Sequence, residues 1–554
     1  MDRVLLARGI DPELAETLSH PSMQQLHDPA LLPDIDKACR RLLAAIADGE
    51  TIAIYGDYDV DGITASAVLY HTITAIAGED LGTRLITYIP HRLDEGYGLN
   101  AEAIKSLALS GARTIISVDC GITATEEARI AKDLGVDLII TDHHNPPSDG
   151  SLPDAHALIH PRIPGSVYPF GELCGAGVAY KLAWRLLVLH DALPDNKVTP
   201  EHRELLLELL AFASLGTVAD LVPLIDENRI IARFGLRRIQ RSSFGGLREL
   251  VSASGLDGER VNAEDVGFRL GPRLNACGRM GHAAEAVELF TTAPPARARE
   301  IAQSLHRMNL ERRETERAIL EQAIEMAEAQ GMTGPDRRAI VLASPDWHPG
   351  VVGIVCSRLV ERFARPSILL CQQDGCCKGS GRSIPGFNLH AGLEACRQFL
   401  TTFGGHDMAA GLKLDDSSFD MFSESFIKHA CSLLRPEDLI NEIAVDTEAD
   451  TRELTPEQVT RLDKLRPFGQ GNPKVRFLLR SVSIVRRPET FGSRANHLAL
   501  HLSHEGAALR CIMWNGGHLR DQLAHGQRID AVISPAISSY SGRVEPVIED
   551  WREA

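Results

Sequence analysis

No run in this sequence approaches the ~18 consecutive apolar residues of a membrane-spanning helix, so no membrane association is expected. The opening MDRVLLARGIDPELAETLSH has Asp2 and no uninterrupted apolar stretch, which reads as an ordinary helix and not a secretory signal. Paired C-x-x-C units are missing. The eleven cysteines are an odd number scattered over 554 residues, which favours reduced thiols in a cytoplasmic protein over a disulfide framework. Cys371, Cys376, Cys377 and Cys396 lack the usual tetrahedral zinc spacing and are read as bystander or buried thiols. Positive charge is also in deficit, 58 Lys and Arg against 75 Asp and Glu, for a net charge of −17. Taken alone, that balance argues against a nucleic-acid partner. Two features weaken the argument. Carboxylates that bind cations are offset locally, and from Arg466 to Arg552 the chain carries twelve basic residues against seven acidic ones.

What is present is ordinary for a folded protein: 44% apolar and 24% charged residues, over a length that implies about three to four domains. After an N-terminal helical segment (1–50), short apolar runs alternate with helical patterns from Thr51 to about Asp220. The runs are TIAIYG, LITYIP, TIISVDC and DLIITDHH, with helices expected over Ile63 to Ile76, Ala101 to Leu109 and Thr125 to Leu134. This rhythm predicts an α/β domain (51–282) built on a doubly wound parallel sheet, with ligands beyond the carboxyl ends of its strands. A stretch rich in Glu, Arg, Ala and Leu (283–335), with Ile301, Leu305, Met308, Ile319 and Ile324 as its apolar stripe, predicts a long connecting helix. A second, smaller α/β domain (336–440) begins at RAIVLAS and includes the glycine-rich segments GCCKGSGRSIPG and FGGHDMAAG. Short alternating strands after about Glu442 predict a C-terminal β-barrel or sandwich (441–554).

The strongest chemical signal is Tyr55-Gly56-Asp57-Tyr58-Asp59-Val60-Asp61-Gly62, which follows a strand and precedes a helix. Three carboxylates at alternating positions repel one another unless cations compensate them, so metal binding is the simplest reading. A calcium loop is excluded because the glutamate it needs six positions after Gly62 is Val68. Asp119 in SVDCG and His143 and His144 in TDHH recur at the same place after later strands, and Asp220 in GTVADLVP adds a carboxylate. Aspartate with neutral imidazole suits Mn²⁺ or Zn²⁺, with Mg²⁺ possible through the carboxylates. Several such groups around one cleft are what a two-metal phosphoester hydrolase requires. Ser380 and Arg382 in GSGRS combine a hydroxyl and a guanidinium suited to a phosphate, with glycines that suggest a loop. His406 follows Gly404-Gly405, a place for close approach to a backbone phosphate. Phe491 and Trp514 are candidates for stacking on bases if they are not barrel core.

GDYDVDG, SVDCG, TDHH and VADLVP, in this order, resemble the DHH phosphoesterase superfamily, and GGHDMAAG resembles its associated second domain. IPHRLDEGYGLN, PRLNACGRMGHA, SGRSIPG and LRPFGQGNP leading into a β-rich tail resemble its single-stranded-DNA exonuclease branch. The resemblance covers nearly the whole chain from about Thr51. It implies two α/β lobes joined by a long helix, followed by a barrel of the oligonucleotide-binding (OB) type. It implies that Asp59, Asp61, Asp119, His143 and Asp220 hold two Mn²⁺ or Mg²⁺ ions, with Asp119 bridging and Asp57 ligating or orienting a ligand. Many relatives have a histidine where this chain has Tyr55, which makes Asp57 or water a candidate substitute. His144 would face the scissile phosphate as a charge stabiliser or proton donor, while Ser380, Arg382, Arg279 and Arg92 would recognise the 5′ end.

The function so implied is 5′-to-3′ hydrolysis of single-stranded DNA to mononucleotides in recombination and repair. A single-stranded-DNA-binding protein and a helicase are implied as partners. The alternatives are a small phosphoester or cyclic-dinucleotide phosphodiesterase, and a non-catalytic replication scaffold with the same fold.

Overall fold

A computed structural model describes residues 1–78, 84–92, 95–281, 283–538 and 541–554. Leu93 and Asp94 of the IPHRLDEGYGLN segment, and the boundary placed at residue 282, lie outside the described residues.

Five parallel strands, β1 (Thr51–Tyr55), β2 (Leu85–Tyr88), β3 (Ala112–Val118), β4 (Asp137–Thr141) and β5 (Ala157–Ile159), form the first sheet in the order β2-β1-β3-β4-β5. β5 has only three residues and carries no alternation from which a strand could be expected. Helices Val60–Ala77, Gly175–Asp191 and Pro200–Ala219 pack on one face, and helices Ala101–Leu109 and Thr125–Asp133 on the other. Burial on both faces explains why the strands read as unbroken apolar runs. Val60–Ala77 is long and apolar enough to cross a membrane, but here it is packed among the other helices of the first core. The chain leaves β1 toward β2 on one side and β3 on the other, so the point where strand order reverses, where such sheets bind ligands, lies between β1 and β3.

The expected connecting helix is two helices. Ala284–Phe290 ends before the Ala-Pro-Pro sequence, and a 35-residue helix, Pro295–Ala329, starts at the second proline, whose missing N–H costs nothing in the first turn. At 1.5 Å per residue the long helix spans about 50 Å. Ile301 and Leu305 enter the first core, while Ile319, Ala323 and Ala327 enter the second, so one rod joins both lobes.

The second lobe is a mixed sheet of β6 (Ile340–Ser344), β7 (Ser367–Gln373), β8 (Cys376–Arg382), β9 (Thr402–Gly405) and β10 (Ala409–Asp415), ordered β6-β7-β8-β10-β9, with helix Pro349–Phe363 against it. GSGRS is thus strand through Arg382 and not loop, and its glycines serve packing: a methyl on Gly379 would fall 2.0 Å from the Leu369 carbonyl oxygen.

β11 (Thr447–Glu448) and β13 (Glu489–Phe491) flank a closed barrel of β12 (Phe477–Ile484), β14 (His497–His504), β15 (Ala507–Met513), β16 (Arg528–Ser534) and β17 (Val547–Glu553). The parallel β15–β17 pair and the β12–β14 closure are those of an OB fold.

The N-terminus is two helices, Asp2–Ala7 and Pro12–Ser19, separated at Gly9 (φ 66°) and the Asp11 cap. Val4 and Leu5 belong to the barrel core and Arg8 pairs with Asp446 at 2.6 Å, whereas helix Ile35–Ala47 packs on the first lobe. The first fifty residues therefore divide between two bodies. All eleven cysteines are free thiols, and Cys371, Cys377 and Cys396 are buried without forming a metal cluster among the described residues.

Candidate metal centre and phosphate cleft

Strand register assembles the site. Tyr55 is opposite Ser117 and Val118 is opposite Thr141, so the segments that follow β1, β3 and β4 emerge side by side. Asp57, Asp59 and Asp119 offer ligand atoms within 4.8 Å of one another; so do Asp61, His143 and Asp220, and so do Asp119, His143 and His144. Asp119 and His143 each belong to two of these groups. His143 Nε2 lies 3.2 Å from Asp119 Oδ1, 3.5 Å from Asp220 and 3.8 Å from Asp61.

Each carboxylate has a local reason for its position. Asp59 caps the helix Val60–Ala77, its Oδ1 accepting the amides of Asp61 and Gly62 at 2.8 and 3.2 Å. Asp61 in turn receives the Gly175 and Ala176 amides at 2.6 and 2.9 Å, at the positive N-terminus of helix Gly175–Asp191. Asp119 adopts φ 63°, a left-handed conformation that aspartate tolerates better than most residues. Its carboxylate approaches so closely that a methyl on Gly175 would fall 2.6 Å from Asp119 Oδ1. Gly216 similarly leaves room for Asp61.

The electrostatics show what the cluster lacks. Burial and the charge of Asp59 push Asp57 well above the ordinary carboxylate range. Burial and the neighbouring aspartates do the same to Asp119, and burial with Asp61 raises Asp220 to about 8. Burial drives His143 down to about 4, which keeps its imidazole neutral, the form that ligates metal. Asp57 Oδ1, Asp119 Oδ1 and His143 Nε2 are buried with no hydrogen-bond partner. Orphaned acceptors converging from three strand ends fit divalent cations. Burial alone would lower His144, but its hydrogen bond to Asp142 raises it to about 9. Asp142 itself would be raised by burial, yet His144 and the Ile122 amide hold it at about 2.

Tyr55 takes no part in the cluster. Fully buried, it donates to the Gly98 carbonyl at 2.9 Å within the core on the opposite face of the sheet. Its neighbour in the motif, Asp57, occupies the site instead.

Arg279 on helix Gly271–Met280 donates to the Gly350 carbonyl at 3.0 Å, at the start of the second lobe's helix. Burial and the nearby Arg92, Arg312 and Arg382 lower it to about 10. Arg92 lies over the Tyr58 ring at 4.8 Å. Ser380 and Arg382 both face Gly353 of the helix Pro349–Phe363. His406 is exposed on the β9–β10 turn, at the end of the sheet where Ala409 pairs with Arg382. Beside Asp220 opens a cavity of ≈ 670 Å³ lined by Leu221, Phe268, Arg279, Arg312 and Phe468. Ala263, Glu264 and Phe468 also line a second cavity, of ≈ 660 Å³, with Arg233, Arg237, Arg260 and Lys464. On the barrel, Trp514 is half exposed and meets His497 and Phe491 at ring-centroid distances of 4.8 and 5.8 Å.

Sequence reasoning missed four contributors. Asp142 orients His144. The Gly175 and Ala176 amides hold Asp61. Arg162 donates to the His143 carbonyl, and Arg312 joins the arginine group from the long helix. Asp142 stands inside the TDHH motif and was available as a signal; the others come from distant segments with no pattern of their own.

A parallel sheet with this cluster at its switch point, tied by a helix to a mixed-sheet lobe, defines the DHH class of phosphoesterases. The DHH family N-terminal domain profile matches residues 51–213, the DHHA1 domain residues 336–432 and the RecJ OB domain residues 445–549. The single-stranded-DNA-specific exonuclease RecJ of Bacillus subtilis is 41% identical over 98% of this chain and 66% of its own length, and that of Thermus thermophilus is 35% identical over 93% and 72%. The chain belongs to the RecJ family. The crystal structure of Thermus thermophilus RecJ with Mn²⁺ superposes with a TM-score of 0.81 at 30% identity, covering 100% of this chain and 75% of that one. The Mg²⁺ complex gives 0.75 at 29% identity, over 100% and 74%.

Proposed function

We propose that the protein is a metal-dependent exonuclease that degrades single-stranded DNA from its 5′ end, releasing 5′-mononucleotides in recombination and repair. The observation that carries this reading is the placement of Asp57, Asp59, Asp61, Asp119, His143 and Asp220 at one switch point, opposite a cluster of arginines from both lobes. Residues 51–282 carry the metal centre, 336–440 the phosphate-binding wall and 441–554 the strand-binding barrel, with 283–335 as connector.

Asp59, Asp61, Asp119, His143 and Asp220, together with Asp57, would hold two Mn²⁺ or Mg²⁺ ions. When bound, the ions supply an activated water and offset charge on the phosphoryl oxygens. His144, held by Asp142, stabilises the scissile phosphate or gives a proton to the leaving 3′ oxygen as the P–O bond breaks. Ser380, Arg382, Arg279 and Arg92 take the terminal 5′ phosphate, which sets polarity, and His406 approaches a backbone phosphate. The adjoining cavities, apolar at Leu221 and Phe268 and basic at Arg233, Arg237, Arg260 and Lys464, support a single-strand track from the barrel to the metal centre. Phe491 and Trp514 offer a separate stacking patch on the barrel.

The protein works in the cytoplasm, where a helicase and a single-stranded-DNA-binding protein supply its strands. A non-catalytic scaffold would not need five aspartates and two histidines intact. The test is product analysis. Mass spectrometry of a 5′-phosphorylated single strand incubated with Mn²⁺ should show 5′-mononucleotides; internal fragments, or turnover of cyclic dinucleotides alone, would contradict the reading.

A further inference from the structure

Asp220 closes the helix Pro200–Ala219, with its amide on the Gly216 carbonyl at 2.9 Å, and the chain then turns sharply. The residue that makes this turn is Leu221, at φ 59° and 72% exposed. A branched aliphatic residue in the left-handed region is a conformational outlier that persists only when its surroundings fix it. Its own side chain, mostly in solvent, cannot do so.

Two sets of contacts fix the loop: locally, Asn228 Nδ2 donates to the Pro223 carbonyl at 3.1 Å, and the long-range set comes from a segment about 250 residues later in the sequence. The Leu224 amide donates to the Gln470 carbonyl at 2.7 Å, in the PFGQGNP turn that precedes the barrel. Gly469 and Gly471 let this turn lie flat on the loop. A methyl on Gly469 would fall 2.7 Å from Leu224 Cδ1, and one on Gly471, itself at φ +70°, would fall 2.9 Å from the Pro223 ring. The turn is held in its own right. Gly469 and Asn472 exchange backbone hydrogen bonds at 2.9 and 3.2 Å, and Asn472 Nδ2 donates to the Leu465 and Pro467 carbonyls, both at 2.8 Å. Arg8 reaches Asn472 Oδ1 at 3.1 Å, which adds the N-terminal helix to the clasp.

From this geometry we propose that the Gly469–Asn472 turn is a positioning element of the metal centre: it clamps the loop after Asp220 in its strained form and so sets the Asp220 carboxylate for one of the two ions. Docking of the barrel segment and completion of the metal site are then one event. The inference rests on Asp220 being a ligand. Groups that orient ligands from outside the first coordination sphere commonly change metal affinity by about 10- to 100-fold when lost.

The experiment is calorimetric Mn²⁺ titration of the full chain without DNA, alongside thermal melting. Gly471→Val should weaken one of two Mn²⁺ sites by about tenfold and leave the other unchanged. Adding Leu221→Gly to that variant should recover roughly threefold, because glycine adopts the left-handed turn without a clasp. A turn that merely holds the barrel in place would show no such rescue. If melting shows Gly471→Val to be unfolded, Gly469→Ala is read by the same criterion. Two wild-type sites in the turn variants, with one site lost in Asp220→Ala, would overturn this inference alone. Two wild-type sites in Asp220→Ala would overturn the ligand assignment and the inference with it.

Discussion

His144 Nδ1 lies 2.8 Å from Asp142 Oδ1, and the same oxygen receives the backbone amides of His143 and His144 at 2.7 and 3.1 Å. One buried carboxylate thus sets both the ring of His144 and the backbone that carries the metal-facing His143. Asp142→Asn offers one acceptor and turns a donor toward the Ile122 amide, which now donates to Oδ2 at 2.9 Å. It should lower kcat by about 10²-fold while leaving KM for a single strand within a fewfold. Steady-state kinetics decide this, and an unchanged kcat would remove Asp142 from the catalytic arrangement.

Metal removal has a pH signature. Asp220, raised to about 8, and His144, raised to about 9, hold protons in the metal-free fold that the unfolded chain releases at lower pH. The folded state therefore binds more protons between pH 6.5 and 8, ordinary histidine titrating at about 6.5, so its stability falls as pH rises through that window. Mn²⁺ displaces those protons. The rise in Tm on adding Mn²⁺ to chelator-treated protein should be larger at pH 8 than at pH 6.5, and an equal rise would contradict the assignment.

Arg382 serves the 5′ phosphate in this account. Arg382→Ala should weaken capture of a 5′-phosphorylated strand by about 10- to 100-fold, the worth of a charge-assisted hydrogen bond, with little effect on a 5′-hydroxyl strand. Competition binding with the two strands checks it, and equal losses would place Arg382 elsewhere on the strand.

Lys181 and Glu227 form a fully buried ion pair at 2.5 Å, with Tyr168 donating to the same carboxylate. Glu227→Gln leaves the ammonium without its counter-charge and should cost about 3–5 kcal/mol of stability. Urea unfolding of the metal-free protein measures this directly; a loss below about 1 kcal/mol would mean that Lys181 finds another partner.

Legibility in the sequence followed the range of the interactions. β1, β3 and β4 are each an apolar run followed by its own chemical residues, so Asp57 to Asp61, Asp119, His143 and His144 could be read off as a set, and the parallel sheet explains why they meet. Arg279 and Arg92 came from resemblance, because nothing local in PRLNACGRM announces that its arginine faces a second lobe, whereas Ser380 and Arg382 stood out as a phosphate-binding pair and took only their 5′-end role from resemblance. The Gly175 amide that holds Asp61, 114 residues away in the chain, left no pattern to find. Neither did the division of the N-terminal segment, where Val4 and Leu5 fill a barrel core formed by the last hundred residues. The glycines of GSGRS misled in the other direction: they suggested a flexible loop, whereas Gly379 is there because β7 passes too close for a side chain.

The central claim is that this cluster hydrolyses single-stranded DNA from the 5′ end. Its most direct test is degradation of a 5′-labelled single strand, a 3′-labelled control and a blunt duplex in Mn²⁺, comparing the intact chain with Asp119→Ala. The account predicts early release of the 5′ label as mononucleotide, an untouched duplex, and loss of all release in the variant. Release of the 3′ label first, or undiminished release by Asp119→Ala, would contradict it.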